Sequence, residues 1–154
     1  MAKQNKFNLK GAEKKARKAL ENAVVEIGNT AKNFFVENFR KQGFDDKTVQ
    51  RWKPRKRTTY KTKSGRIVND TTRAILVKEG DLRRSIIRVP NRAALNVKIQ
   101  TNLDYAKIHN EGLMGKAFGK HPFKMPKRQF IGDSYNLNEK VKAVIVKRLD
   151  KVFT

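Results

Sequence analysis

The chain has 154 residues, of which 37 are Lys or Arg and 14 Asp or Glu, for a formal net charge of +23. With no cysteine there is no disulfide framework and no thiolate chemistry. No apolar run approaches the length of a membrane span and the first residues carry no secretory core, so the expectation is one domain kept inside a cell, held by packing alone.

The first ten residues are expected to be disordered. From about Lys10 to Phe39, Ala16, Leu20, Ala23, Val24, Ile27, Ala31, Phe34, Phe35 and Phe39 recur at steps of three and four, which predicts one apolar face of a long helix. Lys14, Lys18, Glu21, Asn22, Lys32 and Asn33 fall on its other face. At about 1.5 Å per residue such a helix is roughly 45 Å long, more than a domain of this size is wide, so part of it should project or meet another subunit. Lys10, Lys14, Lys15 and Lys18 crowd the positive end of the helix dipole, which predicts fraying before about Ala12.

Residues 51 to 66, "RWKPRKRTTYKTKSGR", hold eight basic residues and no acid, with Pro54 and Gly65 as punctuation. They read as an extended basic loop reaching to about residue 73. Arg51, Lys53, Arg55, Lys56, Arg57, Lys61, Lys63 and Arg66 are its candidate contacts to a polyanion or an acidic partner, or they are simply solvated. Trp52, the single tryptophan, is expected to anchor the loop on the core.

In "EGDLRRSIIRV" Gly80 ends what precedes it, Asp81 caps a short turn, and Ser85 to Val89 has strand character. Leu95, Val97 and Ile99 alternate with Asn96, Lys98 and Gln100, the period of a half-buried strand. With a reversal at Pro90, Asn91 and Arg92 the two runs predict an antiparallel hairpin. Val141, Val144, Ile145, Leu149 and Val152 predict a closing helix. The fold class is therefore α+β, with a long amino-terminal helix and a carboxy-terminal helix packed on a small antiparallel sheet.

Residues 103 to 134 contain both histidines. Tyr105 and His109, four apart in "DYAKIHNEG", share a face of a short helix that Asp104 caps and Gly112 ends. His109 and His121 are the acid and base that a metal-independent ribonuclease would use, but no spacing brings them together. His109, Glu111 and His121 match no strong metal-ligand pattern, and no phosphate-cradling loop, nucleophile elbow or close acidic pair is present. Neither an enzyme nor a cofactor is expected. Residues 112 to 127 read as an irregular loop whose Leu113, Met114, Phe118, Phe123 and Met125 either fold over their own core or meet another protein.

Four stretches occur in a fixed order: Trp52-Lys-Pro, "ILVKEGDLRRSI" from Ile75 to Ile86, "YAKIHNEG" from Tyr105 to Gly112, and "MPKRQFIGDS" from Met125 to Ser134. Their order resembles that of the phage virion-morphogenesis proteins, which act in tail completion and head-tail joining. The resemblance maps the recurrent residues onto Trp52, Gly80, Leu82, Ser85, Tyr105, Ala106, His109, Gly112, Pro126, Arg128 and Phe130. It implies structural roles: Gly80 and Leu82 set the turn into the hairpin, Tyr105 and His109 pack the short helix on the sheet, and Arg128 and Phe130 fix a returning strand. It further implies a virion protein assembled in the bacterial cytoplasm, a ring of about six copies contacting tail or neck proteins. No membrane or small-molecule partner is implied. Non-specific DNA contact by the basic loop is the alternative that the charge keeps open. Relative to the family pattern, the basic stretch after Trp52 and the segment 112–127 are unusually long and basic.

Overall fold

The computed structural model describes residues 8–55, 59–69, 74–77, 79–117 and 119–153. Lys56, Arg57, Phe118 and the first seven residues, with the disorder expected of them, lie outside the described residues.

Helix α1 (Leu9–Lys41) carries the expected apolar face, although burial is uneven along it. Ala19, Ala23, Val24, Ala31, Phe34, Phe35 and Phe39 are buried, whereas Leu20 and Ile27 are half-buried and the face before Ala19 is mostly open. The helix does not fray at Ala12. Asn8 accepts a hydrogen bond from the Gly11 amide at 3.0 Å and so satisfies an amide that the lysine-rich first turn leaves unpaired. At the other end Gln42 takes a left-handed conformation, and its side-chain amide bonds both the carbonyl and the amide of Ile75. One residue thus ends the helix and ties down the chain 33 residues later.

The chain is α+β, but its strands form four separate two-stranded antiparallel sheets among the described residues, not one. They are β1 (Gly43–Asp45) with β2 (Val49–Arg51), β3 (Thr59–Lys61) with β4 (Ile67–Asn69), β5 (Ile87–Asn91) with β6 (Asn96–Gln100), and β7 (Met114–Ala117) with β8 (His121–Lys124). Parts of both segments expected to be loops are therefore paired. Hairpin β5–β6 lies on α1, whose Gly28 is the point of approach: a Cβ there would stand 2.9 Å from Val97 and 3.1 Å from Arg88. Val97 and Ile99 are half-buried with Lys98 and Asn96 outward, as their alternation predicts. The reversal sits at residues 92–95, not at Pro90 to Arg92. Asn91 accepts from the Ala94 amide, and Leu95, left-handed at φ 51°, belongs to the turn and not to the buried face. Ser85 is likewise no strand residue; it ends the one-turn helix α2 (Asp81–Arg84).

Helix α4 (Tyr135–Phe153) runs antiparallel along α1, joined near its far end by Arg148 to Glu26. Its start is fixed by Ser134, which is buried, accepts from the Leu137 amide at 3.2 Å and donates to the Asp45 carbonyl at 2.8 Å. The dense core gathers at the carboxy-terminal half of α1, where Phe34, Phe35 and Phe39 meet Phe44, Trp52, Leu82, Ile86, Phe130 and Leu137. Among the described residues no helix is long and apolar enough to cross a membrane.

Candidate functional site

The short helix α3 (Asp104–Glu111) places the "YAKIHNEG" residues. Neither Asp104 nor Asp81 caps a helix. Asp104 is the first residue of α3, and Asp81 pairs with Arg84 after the left-handed Gly80. Gly112 does end α3, at φ 72°, and the requirement for glycine is double: a Cβ there would lie 2.9 Å from the backbone of Lys127. The chain at 125–131 can therefore run close along α3.

That returning chain is not a strand. Its backbone groups are satisfied by side chains instead. Asn110 accepts from the amides of Phe130 and Ile131 at 2.9 and 3.0 Å and donates to the Ile131 carbonyl at 3.0 Å. The fully buried Asn38 donates to the Phe130 carbonyl and accepts from the Asp45 amide, each at 3.1 Å. Trp52 donates from Nε1 to the Gln129 carbonyl at 2.7 Å, and the Arg128 amide donates to the His109 carbonyl at 2.8 Å. Buried backbone groups need such partners, so three side chains from α1, α3 and the chain after β2 do here what a neighbouring strand does in a sheet. Phe130 is pinned between them and stacks at 5.2 Å on Phe39, which meets Trp52 edge-on at 5.5 Å.

The four sequence stretches thus converge. Gly80, Leu82, Tyr105, His109 and Arg128 line one cleft of about 540 Å³, with Arg55, Ile75, Leu76 and Met125 among its other walls. Tyr105 does not pack the helix onto a sheet. It is exposed and touches His109 edge-on at 6.0 Å, while Ala106 is the residue of α3 that enters the core. Ser85 bonds Thr101 at 2.6 Å and so ties α2 to the end of β6. Pro126 is half-buried.

Arg128 is only 7 % exposed, and its guanidinium donates to the Lys53 carbonyl at 3.2 Å and contacts Met125 Sδ at 3.8 Å. Burial, together with the nearby Arg55 charge, pulls its pKa below the usual guanidinium range. Burial, and then the charge of Arg128, likewise hold His109 below the usual histidine range. Its Nδ1 is buried without a hydrogen-bond partner. His121 is exposed on β8 and is not a cleft residue, so the two histidines do not form an acid-base pair around it. Among the described residues no group of three or more acidic or histidine side chains is placed to hold a metal.

The basic candidates divide. Arg55 bonds the Ala74 carbonyl and Arg51 the Lys41 carbonyl at the end of α1, so both help fasten the scaffold. Lys61, Lys63 and Arg66 are exposed on or beside β3–β4, and Lys53 is exposed while its carbonyl receives Arg128. The same hairpin exposes Tyr60 and Ile67, the latter 73 % open; on β7–β8 Met114 is 62 % open and Phe123 lies across Gly115. Leu113 is also exposed. Asn38 and Asn110 escaped the sequence reading, yet Asn38 carried a signal: a polar residue on the apolar face, four after Phe34 and one before Phe39.

A family model described as the phage virion morphogenesis family matches residues 4–150. No curated protein and no solved structure matches the chain.

Proposed function

Because the chain belongs to the phage virion morphogenesis family, it has a structural or assembly role in building a phage particle, and we propose that it acts in tail completion or head-tail joining. In this reading copies of the chain close into a ring of about six and bind tail or neck proteins, with no catalytic step. The observation that carries it is the pair of hairpins β3–β4 and β7–β8. An isolated two-stranded hairpin is marginal in water, and each of these offers open strand edges together with exposed large apolar side chains. Tyr60 and Ile67 on one, and Met114 and Phe123 on the other, are what a neighbouring subunit would cover.

A second reading, non-specific DNA contact, is favoured by Tyr60 standing exposed beside Lys61, with Lys63 and Arg66 close in sequence. Salt separates the two. Apolar association between chains of charge +23 strengthens as salt screens their repulsion, whereas phosphate binding weakens. Light scattering of nucleic-acid-free protein across a salt series is the test. A discrete oligomer retained or strengthened at high salt supports the ring; particles that form only with added DNA and dissolve in salt support the second reading.

A further inference from the structure

We infer that the cleft between α2 and α3 receives an acidic side chain, flanked by apolar residues, from a protein other than this chain. This goes beyond the ring reading, since no residue of β3–β4 or β7–β8 lines the cleft.

The inference starts from Arg128. A guanidinium that is 93 % buried normally meets a carboxylate, because an uncompensated buried charge is costly. Here, among the described residues, its hydrogen-bond partners are a carbonyl and a thioether, and the nearest named charge acting on it is that of Arg55, of the same sign. Both arginines line the cleft, whose remaining walls include Ile75, Leu76 and Leu82. Two positive groups behind apolar walls fit a single carboxylate carried on an apolar segment, and a guanidinium binds a carboxylate through paired hydrogen bonds. A phosphodiester chain fits less well: it brings a row of charges past Glu79 and Asp81, which also line the cleft, and has no use for the aliphatic wall. A second copy of this chain is disfavoured by its composition, with 14 acidic residues against 37 basic ones.

The test uses the full chain and two capped, fluorescently labelled pentapeptides, one with a central glutamate between leucines and the other with glutamine in its place. Anisotropy is read at a salt concentration that suppresses diffuse attraction. The glutamate peptide should bind about tenfold or more tightly than the glutamine peptide, the ratio expected when a charge-assisted hydrogen bond is lost. Arg55→Gln and Arg128→Gln should each remove that preference, and Lys61→Gln, outside the cleft, should keep it. Should Arg128→Gln fail to fold, Arg55→Gln decides. Equal affinity for the two peptides, no binding at millimolar peptide, or equal losses in Arg55→Gln and Lys61→Gln would overturn the inference. So would displacement of the peptide by a short DNA duplex, which would mark a phosphate site. A fall in the protein's own mass in Arg55→Gln would mark a contact between copies and overturn it as well. Failure of the ring reading leaves the peptide preference untouched, so the two proposals fail separately.

Discussion

The chain around Phe130 and the hairpin β3–β4 are both irregular in sequence, yet they are built in opposite ways. At 128–131 the amide or carbonyl of every residue but none of a regular strand is matched by a side chain or carbonyl from elsewhere, and Phe130 is 1 % exposed. In β3–β4 the strands bond each other, and of their six residues only Val68 is even half-buried. The first region is tied to α1, α3 and Trp52; the second spends its hydrogen bonds on itself and turns its side chains outward. Three of the recurrent residues, Trp52, Arg128 and Phe130, belong to the first region. They build the scaffold, and the surface that meets other chains is to be sought elsewhere.

The comparison breaks most sharply at Phe130. Phe130→Ala removes the ring that fills the space against Phe39 and is expected to cost about 3–5 kcal/mol in denaturant unfolding, enough to unfold much of a marginally stable chain. Asn110→Ala leaves two amides and a carbonyl of the returning chain without their partner, an expected loss of about 2–4 kcal/mol by the same measurement. Trp52→Phe keeps most of the aromatic packing and loses the bond to the Gln129 carbonyl, with about 1–2 kcal/mol expected. In the hairpins the expectation reverses. Ile67→Glu and Met114→Glu should change stability by no more than about 0.5 kcal/mol, because both side chains are already in water, while abolishing the oligomer.

The smallest expected effect is one of pH, and it belongs to the scaffold. His109 binds its proton less readily in the folded chain than in the unfolded one. Its contribution is therefore full above the ordinary value of 6.5 and declines as pH falls from there toward the lowered folded value. Replacing it by Gln should flatten stability against pH in that window, measured by denaturant midpoints, and should leave the slope at higher pH unchanged.

How far each region could be read from sequence follows from the same contrast. The faces of α1 and α4 were legible because burial repeats with the helical period, and β6 because Val97 and Ile99 alternate with polar neighbours. The turn before it slipped because Asn91 and Leu95 use side-chain bonding and a left-handed backbone, neither of which alters hydrophobic spacing. Hairpin β3–β4 left no periodic trace, since neither of its faces is deeply buried. The returning chain was legible only as the motif "MPKRQFIGDS"; that side chains of Asn38 and Asn110, distant in sequence, would stand in for a strand is written in tertiary contacts and not in local pattern. The cleft was anticipated residue by residue but not as a place, because its lining comes from four separate stretches.

The most direct measurement is the solution mass, by light scattering at low and high salt, of the nucleic-acid-free protein beside its Ile67→Glu variant. The account predicts a discrete oligomer of about six chains for the parent, at least as stable at high salt, and a folded monomer for the variant. A parent that is monomeric at both salt concentrations, or a variant that assembles as the parent does, would contradict it.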